Sequence, residues 1–483
     1  MNAFLKINGL FVATFCALAG CETVERARAA QQRVAALTND VAVATSASTN
    51  RVNLVGSRLV DYVAYASAHR PDLEASRLAV SNAVLGVILA TSDQRLQADL
   101  SAGYSQQTHN THHFSWHQNR GKATGAISFD LLIYDFGRIE AREKAAREDL
   151  IAAKRDLEDA ELTVFNEVCA SYFTLMRNDA LLEVARTNEF MHAEHLKQSE
   201  QLFNVGEAKK LDVLKARVDL SDARLATINA SNEVITAGAE FLRTLGLEND
   251  RATRADVLAV AKDCLAESTN QLPVTTYTAV EALQLARTNS PSLCALRANL
   301  RAAMADVDYA VADLKPRVSL SSAFNFVDPA WNWSWGFQAV QTLLDGWRKQ
   351  AAVKVAVVAM QSARTAVDNA EQRLSYDLAV AAATRDNARQ SLETARVEVA
   401  QARENFENVM MQYRVGDASR LDFTDAVGAL ASALGTRVKA FYAAEIAEAT
   451  LVRLTGRDPW ANSVPAQTLK QEPTLEDLAN ENR

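Results

Sequence analysis

The stretch Leu132-Ile133-Tyr134-Asp135-Phe136-Gly137-Arg138 leads into a run, Arg138 to Val205, that contains neither Gly nor Pro. Thr342-Leu343-Leu344-Asp345-Gly346-Trp347-Arg348 leads into a second such run, ending at Val415, 210 positions later. Without a breaker, each run predicts one helix, on the order of 100 Å long at about 1.5 Å per residue. Small and apolar residues recur at a spacing of seven. Ala146, Ala153 and Ala160 stand beside Leu150, Leu157 and Val164; Ala356, Ala363 and Ala370 stand beside Met360, Val367 and Leu374. That is the coiled-coil period, and alanine lets helices approach closely.

The duplication extends in both directions. Phe203-Asn204-Val205-Gly206 matches Tyr413-Arg414-Val415-Gly416, and Leu211-Asp212 matches Leu421-Asp422, again 210 apart. Shorter helices are predicted to return over Lys209 to Leu245 and Ser419 to Thr455, closed by Gly246 and Gly456. Upstream the offset is 220, from Pro71 to Pro291 and from Asp99-Leu100-Ser101 to Ser319-Leu320-Ser321. The first copy therefore carries about ten extra residues between Leu100 and Asp135, where period-2 segments also lie.

Before each long run stand two alternating segments. Ala98, Leu100, Ala102 and Tyr104 share one parity, as do Ile127, Phe129 and Leu131. In the second copy Val318, Leu320, Phe324 and Phe326 alternate with polar residues, and Trp333, Trp335 and Phe337 alternate with Asn332, Ser334 and Gln338. One face suits lipid with an aromatic girdle, the other a watery lumen. Asp328-Pro329 is the expected turn of the second pair. Four strands leave open edges, which hydrocarbon does not tolerate, so a membrane reading requires several chains to close one barrel.

Composition sets further limits. With 48% hydrophobic and 23% charged residues, the chain is not of disordered type. A net charge of −8 supplies no basic excess for nucleic acid. The five cysteines, Cys16, Cys21, Cys169, Cys264 and Cys294, form no CxxC pair. Lys6 and the apolar Ile7 to Leu18 read as a signal peptide rather than a span. Leu18-Ala19-Gly20-Cys21 resembles the bacterial lipoprotein cleavage box, in which the cysteine is lipidated, and Glu22 after it fits the outer membrane. The alternative is an ordinary signal peptide with Cys21 unmodified.

Taken in order, the duplicated layout, the two Asp-containing strand exits and the paired Val-Gly…Leu-Asp hairpins resemble the outer-membrane efflux protein (TolC) family over roughly residues 58–457. The resemblance implies an α+β membrane protein, a trimeric twelve-stranded β-barrel with four strands per chain, continued by a long α-helical barrel. It implies a gated conduit from periplasm to exterior in a tripartite efflux or type I secretion system, with a periplasmic adaptor and an inner-membrane pump as partners. No cofactor is implied, and no enzyme motif is found. The reading divides the chain into a signal peptide (1–20), a lipidated segment (21–57), a first repeat (58–246), a linker (247–277), a second repeat (278–456) and a polar tail (457–483). Arg70-Pro71 and Ser290-Pro291 depart from the family's usual Asn-Pro. The competing reading is a structural coiled-coil envelope lipoprotein that conducts nothing.

The resemblance also assigns sites. Val205, Gly206, Val415 and Gly416 mark hairpin tips, as adaptor contacts or only as caps. Asp422 and Asp425 form a DxxD pair that would ring the inner mouth, six carboxylates in a trimer, each pKa raised by its neighbours. The alternative is a helix start whose acids favour the dipole. Asp212 is the first-copy counterpart, with Lys215 in place of the second acid. His109, His112, His113 and His117 cluster in the extra length, as a polar loop or a metal site. Met410-Met411 reads as packing. Cys264 and Cys294 are available for a bridge that sequence cannot place.

Overall fold

The computed structural model describes residues 59–105, 108–110, 116–118, 122–206, 209–247, 279–327, 330–415 and 417–456. The first copy contains α1 (Leu59–His69), α2 (Pro71–Ser92), β1 (Gln97–Ser105), β2 (Thr108–Asn110), β3 (Trp116–Gln118), β4 (Lys122–Tyr134), α3 (Arg138–Asn204) and α4 (Lys210–Leu245). The second contains α5 (Ala279–Asn289), α6 (Pro291–Ala312), β5 (Arg317–Val327), β6 (Ala330–Val340), α7 (Arg348–Val415) and α8 (Arg420–Thr455). The predicted strands and long helices are all present. The extra length of the first copy holds the short antiparallel pair β2–β3.

The two Asp-containing strand exits act as corners. Asp135 accepts hydrogen bonds from the backbone N–H groups of Gly137 (3.1 Å) and Ile139 (2.6 Å), capping α3. Asp345 accepts from Lys349 N (2.9 Å) at the start of α7. Between cap and helix the backbone turns through two left-handed residues, Phe136 (φ 58°) with Gly137 (φ 86°), and Gly346 (φ 66°) with Trp347 (φ 69°). A bulky residue in that region is strained by about 1–3 kcal/mol, so the corner is held by the Asp cap and by the packing of the helix beyond it. Asp313 at the end of α6 ties both long helices there, pairing with Arg138 (3.0 Å) and Lys349 (3.3 Å).

The other ends are also built twice. Gly246 (φ 75°) closes α4 against His69 and Arg70, and Gly456 (φ 65°) closes α8 against Asn289 and Pro291. Pro71 and Pro291 each begin a helix, where their missing N–H costs nothing. The glycine and proline landmarks recur together because each glycine caps one helix against the joint that starts another.

All four long strands form one antiparallel sheet in the order β1-β4-β5-β6, which leaves β1 and β6 as open edges. Among the helices, α3 packs on α4 and α8, and α7 packs on α8, so α4 and α7 flank the row. α6 lies on both α3 and α7, whereas α2 lies on α3 and α1. The first copy's core includes Tyr62, Tyr172 and Phe241, with ring centroids 5.4–5.9 Å apart. Ala282 and Leu451 hold the equivalent places in the second.

The predicted heptads are half-buried in both long helices, fully so at Val164 and Val367, but α3 has a further buried seam through Ala141, Ala145 and Ala152. That seam faces the second copy and is not the one picked out by spacing alone. Helix α2 is long and apolar enough to cross a membrane by length and composition. Its counterpart α6 is a packed core helix.

Candidate gate and docking tips

At the first tip, Val205 is 71% exposed and Gly206 takes φ 85°, the left-handed turn that lets α3 end. Phe203 and Leu211 are exposed beside it. At the second tip α7 ends at Val415; the Val415 side chain and Gly416 lie outside the described residues, and Met411 and Leu421 are exposed nearby. Both tips thus present apolar side chains to solvent.

Helix α8 starts with a reciprocal cap. Ser419 Oγ accepts from Asp422 N (3.2 Å), while Asp422 Oδ2 accepts from Ser419 N (2.9 Å) and Ser419 Oγ (2.7 Å). These bonds hold the Asp422 carboxyl below the usual carboxylate range. Within one protomer this reverses the raised pKa expected of a crowded gate, because hydrogen bonds to the charged form favour it. Asp425 lies one turn on and is exposed, so the pair shares one end of α8. Asp212 repeats the contact more weakly, accepting from Lys209 N at 3.4 Å.

Near the Asp422–Asp425 pair is a contact between the two repeats that spacing did not single out. His195 of α3 is 2% exposed and packs between Tyr413 of α7 and Phe423 of α8, with ring centroids at 5.6 and 4.9 Å. Tyr413 stacks on Phe423 at 5.0 Å. His195 Nδ1 lies 3.4 Å from Tyr413 Oη, and Nε2 is buried without a hydrogen-bond partner among the described residues. Burial, then the charge of Arg420, pulls the His195 imidazole down to about 4. Arg420 of α8 pairs with Asp219 of α4 at 3.0 Å, so a salt bridge and an aromatic wedge join the two hairpins near their tips. A signal was present: steps of seven from Ala160 reach His195, and from Val164 reach His192.

Strand β6 is exposed on both faces, and one of them carries an aromatic row. Trp331, Trp333, Trp335 and Phe337 of β6 are each 65–69% exposed on one parity. His109 and His117 are register partners across β2–β3, while His112 and His113 lie outside the described residues. Among the described residues no group of three His, Cys, Asp or Glu is placed to hold a metal. Cys169 is buried and its thiol is pushed up by burial. Cys294 is partly exposed; Cys21 and Cys264 lie outside the described residues.

Comparison with known proteins agrees with this architecture. The chain is 22% identical over 361 residues to outer membrane efflux protein BepC of Brucella suis, covering 71% of this chain and 76% of that protein. It is 25% identical over 353 residues to outer membrane protein OprJ of Pseudomonas aeruginosa, covering 69% and 67%. The solved outer membrane protein VceC from Vibrio cholerae superposes with a TM-score of 0.71 at 16% identity, over 83% of this chain and 96% of VceC. A membrane protein from Pseudomonas aeruginosa gives 0.73 at 19%, over 82% and 93%. The fold is therefore that of these membrane proteins. A profile of the outer membrane efflux protein family matches residues 63–247 and 282–457, well over half the chain. With both repeats matched, the chain belongs to the outer membrane efflux protein family.

Proposed function

We propose that this outer-membrane efflux protein works as a closed ring of three chains, a gated conduit whose twelve strands cross the membrane and whose helices continue into the periplasm. Family and fold are those of channels, not enzymes. The observation that carries the ring is an asymmetry between equivalent helices. Ala145 of α3 is 6% exposed, whereas its counterpart in α7, Val355, is 68% exposed. α3 has a neighbour on each side and α7 on one, as expected of a repeat cut from a closed array. On the opposite flank α4 leaves Leu211, Val218, Leu225 and Ile228 exposed at coiled-coil spacing. Apolar faces of this extent on both flanks call for a partner.

In this reading residues 1–20 are removed, Cys21 carries lipid, residues 58–246 and 278–456 are the two structural repeats, and the segments between and after them connect and trail. The exposed apolar tips at Val205-Gly206 and Val415-Gly416 dock a periplasmic adaptor that joins an inner-membrane pump. Asp422 and Asp425 ring the inner mouth and favour cations.

Planar-bilayer conductance of the purified oligomer tests the conduit: discrete channels are expected, and a silent, well-folded oligomer would favour the envelope tether. The gate has its own test. Asp422→Ala with Asp425→Ala is expected to lower cation preference and block by multivalent cations while the oligomer survives, with Asp212→Ala as control. Unchanged selectivity would leave only the cap with Ser419. Cys21→Ser is expected to abolish an acylated N-terminus seen by mass spectrometry of the mature protein; an unmodified Cys21 in the parent chain would refute lipidation.

A further inference from the structure

The two strand hairpins differ at one end. The second is closed by Asp328-Pro329 between β5 and β6, whereas the first runs through residues 106–121, which hold the short pair β2–β3. This extra length joins the ends of β1 and β4 that lie away from the helices, because β4 leads through Asp135 into α3 at its other end. Two residues suffice to close such a hairpin, so the addition calls for another reason.

Its composition is narrow. Four of the chain's seven histidines, His109, His112, His113 and His117, fall within residues 106–121, and no Asp or Glu does. A segment kept only for solubility would carry Lys, Asp and Glu rather than imidazole. Neutral imidazole suits zinc, copper and nickel, whereas magnesium and calcium take carboxylate and carbonyl oxygens.

The ladder then selects two of the four. Its register sets His109 directly opposite His117, with Thr108–Gln118 and Asn110–Trp116 on the rungs to either side. Directly opposed residues share one face of an antiparallel pair, with Cβ atoms about 4.5–5.5 Å apart. Two imidazoles rooted at that separation can share one ion at the usual nitrogen–metal distance of about 2.0–2.1 Å. A slip of one residue would put them on opposite faces. Three-residue strands are too short to be stable as an isolated hairpin, so an ion across the middle rung would also pin the pair.

We infer that the β2–β3 pair is a binding site for a divalent late transition-metal cation, of the copper, nickel and zinc class, at the register position that opposes His109 and His117. Water completes the coordination, and copper binds tightest of the three. The binding stands apart from the conduit proposed above; only the placing of the site at the outer face of the membrane rests on that reading.

Calorimetric titration of the full-length protein, purified in detergent without a histidine tag, tests the site with Cu²⁺ and Zn²⁺ as probes and Mg²⁺ as control. The parent chain is expected to bind one Cu²⁺ per chain that His109→Ala with His117→Ala does not bind. Either single substitution, by removing one of two linked ligands, is expected to weaken that binding roughly a hundredfold. His112→Ala with His113→Ala is expected to keep it. Asn110→His with His109→Ala preserves the number of histidines but leaves none opposite His117, and is expected to lose it. Thr108→His with Gln118→His, added to the double alanine variant, places a new opposed pair on the next rung and is expected to restore it. Equal affinity in the parent and the double alanine variant would overturn the site. Full binding by Asn110→His with His109→Ala, or its loss in His112→Ala with His113→Ala alone, would overturn the ladder position in favour of a histidine-rich loop without fixed geometry. A protein that conducts in bilayers and binds no copper refutes this site alone, and one that binds copper and is silent refutes the conduit alone.

Discussion

Gly456→Ala is expected to cost far more than Gly246→Ala, although both replace the closing glycine of the same helix in two copies of one repeat. Both glycines have positive φ, 65° and 75°, so an alanine at either place is strained. The surroundings differ. A Cβ at Gly246 would meet Arg70 and His69 atoms at 3.6 Å or more, ordinary contact. A Cβ at Gly456 would stand 2.7 Å from the carbonyl oxygen of Asn289 and 3.3 Å from Pro291. Backbone must move there, and the backbone that moves is the joint between α5 and α6. Strain alone predicts about 1 kcal/mol at Gly246; strain plus displacement predicts about 2–4 kcal/mol at Gly456. The measurement is the thermal midpoint of the purified protein for both variants. Equal losses would mean that the joint at Asn289 yields freely and that its close packing against Gly456 holds nothing.

This pair shows how much the sequence could carry. The two glycines and their offset are legible, as are the prolines, because breakers are the strongest local punctuation in a chain otherwise built of long helices. The reason they recur together is not legible, since it is a contact between the end of one helix and the start of another far away in sequence. The strands are legible by parity, and the direction of the open edges is not, because parity does not say which strand is central. The heptad seam of α7 can be read as it stands. In α3 the same period misses the second seam through Ala145 and Ala152, because a helix with two neighbours has two stripes and its period blurs.

The site divides in the same way. Asp422 is marked by its spacing from Asp425, and the structure adds that its carboxylate is turned onto Ser419. His195 falls on the heptad that runs through Ala160, but its burial is not legible there, because its partners Tyr413, Phe423 and Arg420 come from the other copy. The DxxD spacing marks Asp422 in the sequence, and the cap that turns its carboxylate onto Ser419 is visible only in the structure. A buried histidine needs no assembly to reveal itself: its partners lie within the chain.

That histidine gives the second large effect, as a dependence on pH. His195 is held near 4 in the folded chain, against about 6.5 when unfolded. The groups facing it are His192 on its own helix, Asp219 on α4, Tyr413 on α7 and Arg420 on α8, with Asp212 acting on Tyr413. His192 is also lowered by burial, so it adds no cation at neutral pH. Because the unfolded chain binds the proton more readily, stability from this site is complete above about pH 6.5, falls as pH drops toward 4, and is flat below. Between pH 7 and pH 5 the loss amounts to about 2 kcal/mol, roughly twentyfold to thirtyfold in the equilibrium for local opening. Hydrogen exchange of the α3 amides around residues 192–199, expressed as protection relative to the free peptide, should fall by that factor in the parent chain. In His195→Phe, which keeps a ring between Tyr413 and Phe423 but cannot take a proton, protection should change much less over the same interval. Near-identical pH responses would show that the acid sensitivity of this end of the bundle belongs to groups other than His195. If the expected difference appears, the wedge joining the two hairpins is what loosens this end of the bundle in acid, beside a Ser419–Asp422 cap whose carboxyl is held below its usual range.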